Sequence, residues 1–224
     1  MSMHMLSSLL FTSWLAAVPS PAANAPVREL WAGHQIGFGS REIPFKGTVT
    51  TRSDSFVLAE VRRTEGRIEL VQRACRVLIE PVGGVRVTID AAAMPRASMR
   101  FLLGEQAKSL VADAVLAWDE DDIDDDGNPG MTVTVAAPVC SGELYVTNSS
   151  TTHAAGLLEG GRFDGHAWVH VVQHVIDTKG ACLSVAARDT NERLQGPFAY
   201  VPVPAGTTCE GLLRGGWPVD AESE

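Results

Sequence analysis

Seven carboxylates crowd into the eight residues from Asp119 to Asp126, Asp-Glu-Asp-Asp-Ile-Asp-Asp-Asp. The chain carries a formal charge of -9, of which this run accounts for all but -2, so its acidity is local and wants a local explanation. Crowded carboxylates repel one another and raise each other's pKa, and a bound divalent cation reverses that preference. One register within the run is ordered for such an ion: Asp122-x-Asp124-x-Asp126-Gly127-Asn128. Alternating carboxylates converge as the chain curls, and the glycine permits the sharp turn that brings the next carbonyl inward.

This segment resembles the calcium loop of the EF-hand and of related DxDxDG families such as the thrombospondin repeats. The resemblance implies Ca2+ as the ion, side-chain ligands from Asp122, Asp124 and Asp126, a turn at Gly127, and a backbone carbonyl ligand from Asn128. It is confined to the loop. Pro129 and Gly130 follow Asn128, and Val133 occupies the place of the bidentate Glu, so a further ligand is expected from Asp119, Glu120 or a distant acid. Met131 to Val135 alternates as a strand, which removes the exiting helix of an EF-hand and with it a helix-opening switch. A solvated acidic loop without an ion is the plain alternative, and magnesium or manganese are the rival ions. Trp118, directly before the run, is either a shield for the ion site or a core residue.

Other chemistry is thinner. His166, His170 and His174 recur every fourth residue, but they lie in a valine-dense segment that reads as strand. Four residues along a strand span about 13 Å, too far for neighbouring imidazoles to share a zinc ion. The expected arrangement is one strand face of His166, Trp168, His170, Val172, His174 and Ile176, either lining a barrel interior or half exposed. No GxSxG, HExxH, GxxxxGK[ST] or SxxK pattern occurs, and Gly37-Phe-Gly39 has Glu42 where a dinucleotide loop needs its third glycine. Asn148-Ser149-Ser150 fits a glycosylation sequon, a pattern common by chance.

The elements that must position these residues are mainly strands. Val85, Val87 and Ile89 alternate with Arg86, Thr88 and Asp90, as do Met131, Val133 and Val135 with Thr132 and Thr134. β-branched stretches over Thr48 to Arg62, Arg67 to Ile79, Glu143 to Thr152, Phe163 to Ile176, Cys182 to Arg188 and Phe198 to Val203 add more, separated in several places by glycine-bearing links. One helix is predicted over 98–117, two further strands being the alternative. The fold class is therefore mainly β, an antiparallel barrel or a sandwich of eight or more strands. At the level of fold the barrel reading is similar to a lipocalin-type cup, which implies an interior that could hold a small apolar ligand.

Residues 1–25 read as a signal peptide, with an apolar run from Leu6 to Val18 and a small-x-small cleavage site at Ala23-Asn24-Ala25. Residues 26–213 form a single β-rich domain, and 214–224 a flexible tail. Four cysteines, Cys75, Cys140, Cys182 and Cys209, suit two disulfides in an oxidising compartment. The favoured pairing is Cys182 with Cys209 across a hairpin near Asn191, leaving Cys75 with Cys140. No stretch after the leader is apolar enough to span a membrane, and the net negative charge argues against nucleic acid or an anionic membrane as partner. The expected protein is secreted or periplasmic, a calcium-binding structural or binding module. The alternatives are a carrier of a small apolar ligand and, third, a metal-dependent hydrolase.

Overall fold

Period-two alternation places apolar side chains on one side of each strand, and covering them requires the sheet to curl on itself. A computed structural model describes residues 27–43, 47–64, 66–103 and 109–222. Its strands are β1 (Val27–Ile43), β2 (Gly47–Thr64), β3 (Arg67–Ile79), β4 (Arg86–Ile89), β5 (Ala97–Leu103), β6 (Ser109–Trp118), β7 (Met131–Ala136), β8 (Gly142–Glu159), β9 (Arg162–Lys179) and β10 (Thr190–Val203). Two short helices complete the described chain, α1 (Leu183–Ala186) and α2 (Cys209–Gly215). The leader read over residues 1–25 lies outside the described residues.

Eight strands close into an antiparallel ring in the order β1-β2-β3-β5-β6-β8-β9-β10, with β10 pairing back onto β1. The expectation of a mainly β, antiparallel architecture holds, and the ring takes the place of a two-sheet sandwich. It is not a regular barrel: among the described residues β5 and β6 share only Leu102↔Val111 and Leu103↔Leu110. β4 and β7 leave the wall as a two-stranded extension. The first part of β8, around 142–146, pairs with β7, and the part from Asn148 to Leu157 pairs with β6. The acidic loop spans this change of partner, joining the end of β6 to the start of β7.

One half of the ring is filled. Trp31, Phe101, Phe163, Phe198 and Tyr200 are each 3% exposed or less and pack with Val61, Leu70 and Leu110. Phe163 meets Phe101 and Phe198 edge-on at 4.9 and 5.1 Å. A polar cluster sits at the edge of this core: Gln35 donates to Gln72 at 3.2 Å and to Tyr200, and the Tyr200 hydroxyl donates to Gln72 at 2.5 Å. Burial pushes the Tyr200 phenol well above its ordinary range. Gly33 makes room for that ring, since a Cβ there would stand 2.3 Å from Tyr200.

Four expectations are corrected. The segment predicted as a helix over 98–117 contains two strands, β5 and β6, whose described ends pair with each other; Met99, Phe101, Leu110 and Ala112 alternate inward. Cys182 to Arg188 is not a strand, because Gly180, at φ 131°, ends β9 and a helical turn follows with Leu183 buried. The disulfides pair Cys75 with Cys209 and Cys140 with Cys182. β8 and β9 are neighbours through Glu143↔Lys179, which brings Cys140 to Cys182, while β10 carries the chain away from them. Finally, the tail expected to be flexible over 214–224 docks on the wall through its described residues, 214–222. Trp217 donates to the Gly33 carbonyl at 3.1 Å and packs edge-on against Phe56, and Val219 is buried.

Candidate metal centre

The acidic loop begins where β6 ends and closes on itself before β7 starts. Gly130 donates to the Glu120 carbonyl and Ile123 donates to the Gly130 carbonyl, both at 3.1 Å, so a two-ended clasp holds the loop's base. Inside it the chain turns through Asp125 (φ 55°) and Gly127 (φ 86°). That left-handed geometry is the one glycine adopts most readily, which explains Gly127. Gly130 is required for a second reason: a Cβ there would lie 2.5 Å from the Val146 carbonyl oxygen. The loop is thus pressed against β8 at the place where β8 changes partner.

Asp122, Asp124 and Asp126 each bring a carboxylate oxygen to within 4.8 Å of the others, the separation one cation bridges. Among the described residues this is the one cluster of three or more acidic, histidine or cysteine side chains with such convergence. Asp122 accepts from the amides of Asp126 at 3.2 Å and Gly127 at 2.8 Å, which bends the chain around it. Asp126 accepts from Asn128 through both its amide at 2.9 Å and its side-chain nitrogen at 3.0 Å. Asn128 therefore stands against the cluster. Asp119 caps the amide of Asp121 at 3.1 Å, and neither Asp119 nor Glu120 belongs to the convergent group.

Thr132, the second residue of β7, holds two of the three carboxylates. Its amide donates to Asp124 Oδ2 at 2.8 Å and its hydroxyl to Asp126 Oδ2 at 2.6 Å. Sequence reasoning passed over this residue because it reads as an ordinary outward position on an alternating strand. The hydroxyl bond holds the Asp126 carboxyl below the usual carboxylate range. Asp124 goes the other way: desolvation pushes its carboxyl up, with the Thr132 amide opposing. Its second oxygen, Oδ1, is buried and has no hydrogen-bond partner. An ionised oxygen buried without a donor is costly, and a cation supplies the missing interaction.

Trp118 lies beneath the loop rather than in the aromatic core; its indole donates to the Val146 carbonyl at 2.9 Å. The histidine face of β9 turns out to be the outward one. Phe163 and Ala167 contact the core, whereas Trp168, Val172 and His174 are exposed. His170 pairs with Asn191 at 2.7 Å and His174 with Asp189 at 2.8 Å, so the imidazoles are separately engaged. In comparisons with known proteins, no family model, curated protein or solved structure matches the chain.

Proposed function

We propose that the protein is an exported calcium-binding β-protein, a structural or binding module in which Asp122, Asp124, Asp126 and the Asn128 carbonyl coordinate Ca2+. The observation that carries this reading is the buried, unpartnered Oδ1 of Asp124, whose carboxylate is one of three that converge. Oxygen-only donors on a curling loop suit a hard cation with flexible coordination, which favours calcium over the near-octahedral demands of magnesium. The ion would fix the loop against Val146 and so hold the β4–β7 extension to the ring. Two disulfides support an oxidising compartment, and no helix among the described residues is long and apolar enough to cross a membrane.

The aromatic core fills only part of the ring, and a cavity of about 920 Å³ bordered by the inward-alternating Gly39, Ala114, Thr152, Val169 and Leu194 supports a carrier of a small apolar ligand as the second reading. The dispersed partners of the histidines, away from the acidic cluster, give no support to a metal-dependent hydrolase. The test is calorimetric titration of chelator-stripped protein with calcium. One saturable site that disappears in Asp124→Ala is the expected result. No heat in the parent protein, or equal binding in the variant, removes the proposal.

A further inference from the structure

The interior cavity of about 920 Å³ begins where the aromatic core stops: Ala114, Thr152 and Val169 border it, each two residues along its strand from Ala112, Ala154 and Ala167, which pack in that core. Its size lies within the range of small-molecule sites, about 300–1,000 Å³. The inward positions around it divide by chemistry. From β6, β9 and β10 come Ala114, Val169 and Leu194, an apolar side. From β1, β2 and β3 come Gln35, Ser53, Ser55 and Gln72, a polar side. Gln35 is paired with Ser55 and Gly37 with Ser53, so both serines share the inward face that Gln35 presents to Tyr200. A Cβ on Gly37 would stand 2.9 Å from Ser53 Oγ and 3.6 Å from Leu194, so the two sides meet at Gly37, between Gln35 and the cavity-lining Gly39. On β5, Ala97 is paired with Gln72 and precedes Ser98, which also borders the cavity.

The polar side does not satisfy itself. Gln35 Nε2 donates to Gln72 Oε1 at 3.2 Å and to the Tyr200 hydroxyl, which in turn donates to Gln72 Oε1 at 2.5 Å. Among the described residues, Gln35 Oε1 is left as an acceptor without a donor and Gln72 Nε2 as a donor without an acceptor. A wholly apolar ligand would strip water from these half-buried groups and give nothing back. No Lys or Arg occupies a described inward position at this level, and Glu192, accepting from Thr51 at 2.7 Å, sets a carboxylate beside Gly39. An anionic head group would therefore meet a like charge and no counter-charge.

We propose, building on the carrier reading above, that this cavity takes an uncharged amphiphile whose polar head both donates and accepts hydrogen bonds, as a primary amide does. The head donates to Gln35 Oε1 and accepts from Gln72 Nε2, while the apolar body lies along Ala114, Val169 and Leu194.

The test is displacement of the uncharged dye N-phenyl-1-naphthylamine, read by fluorescence at neutral pH, with four ten-carbon chains that differ in the head: decanamide, methyl decanoate, decanoate and decylammonium. Decanamide is expected to bind at least about tenfold more tightly than the other three, the worth of one or two hydrogen bonds. Gln72→Leu should lose about that factor for decanamide and keep its affinity for the dye. Ala114→Phe, which fills the cavity, should lose the dye and all four chains, and thermal melts check that both variants fold. The ranking in the parent protein decides the question without any substitution. No binding of dye or chains in the parent, or binding unchanged in a folded Ala114→Phe, removes the carrier reading and this proposal with it. Dye binding with any other chain equal to or tighter than decanamide leaves a carrier and overturns the uncharged donor–acceptor head, as does a decanamide affinity unchanged in folded Gln72→Leu.

Discussion

The backbone amide of Thr132 donates to Oδ2 of Asp124 at 2.8 Å, so the strand that leaves the acidic loop also orients the loop's middle carboxylate. With one oxygen held by the strand, the other is turned inward where no protein donor reaches it. The loop's chemistry and the register of β7 are therefore one arrangement: losing either disturbs both.

The Thr132 hydroxyl is a supporting contact of the kind that orients a metal ligand without touching the metal. Thr132→Val keeps the strand-forming shape and the amide but removes the 2.6 Å bond to Asp126. Calcium affinity is expected to fall by about tenfold, while the fold is retained. Calorimetry beside circular dichroism checks both halves; an unchanged affinity would show that Asp126 needs no such support.

Gly130 is held at φ 73° with its α-carbon against the Val146 carbonyl. Gly130→Ala combines a disfavoured backbone with a clash against an atom that cannot rotate away, a cost of about 2–3 kcal/mol. The expected result is a lower melting temperature together with lost calcium binding. Gly127→Ala, where nothing lies within 4 Å of the added carbon, should cost about 1 kcal/mol through backbone strain alone.

The two disulfides close loops of different length, with sequence separations of 134 for Cys75–Cys209 and 42 for Cys140–Cys182. Loop-closure entropy then predicts stabilisation of about 5 and about 4 kcal/mol respectively. Non-reducing peptide mapping should recover these two linkages, and Cys75→Ala with Cys209→Ala should lower the denaturation midpoint more than the other pair. Recovery of a Cys182–Cys209 peptide would contradict the fold.

The C-terminal segment is clasped through charge. His34 is 5% exposed and contacts Asp54 at 3.1 Å, while the Ala221 amide donates to its Nδ1 at 3.1 Å. Arg52 joins Asp54 at 2.9 Å to Glu222 at 2.6 Å. The Arg52 guanidinium holds the Asp54 carboxyl below its ordinary value. A native pKa lowered in this way adds stability that is complete above the unfolded value of about 3.9 and is lost as pH falls through the native one. Below about pH 4 the clasp should loosen, read as a red shift of Trp217 emission in a variant lacking the other tryptophans. Arg52→Ala should move that loosening to higher pH; an acid response identical to the parent would remove Asp54 from the account.

Much of the architecture was legible because period-two alternation is a local signal: β3 and β7 match their sequence patterns nearly residue for residue. The 98–117 segment misled because Leu103, Ala107, Leu110, Ala114 and Trp118 also satisfy helical spacing. Only pairing with β3 and β8, distant in sequence, decides for strands. Long β1 was not recognised, since Gly33, Gly37 and Gly39 interrupt its apolar pattern to admit side chains from neighbouring strands. Disulfide pairing depends on ring topology, which four cysteine positions do not encode. In the acidic loop the ligand spacing was readable from alternation and glycine, whereas the Thr132 anchor and the buried oxygen exist only once the loop has closed.

The most direct test of the central claim is a thermal melt of chelator-treated protein with calcium, with magnesium and with neither, beside Asp124→Ala. At about 100 times its dissociation constant, calcium adds about 2.7 kcal/mol, a rise of about 5–10 °C for a domain of this size. The account predicts that rise with calcium, little or none with magnesium, and none in the variant. Equal melting temperatures in all three conditions, or a calcium rise that survives in Asp124→Ala, would contradict it.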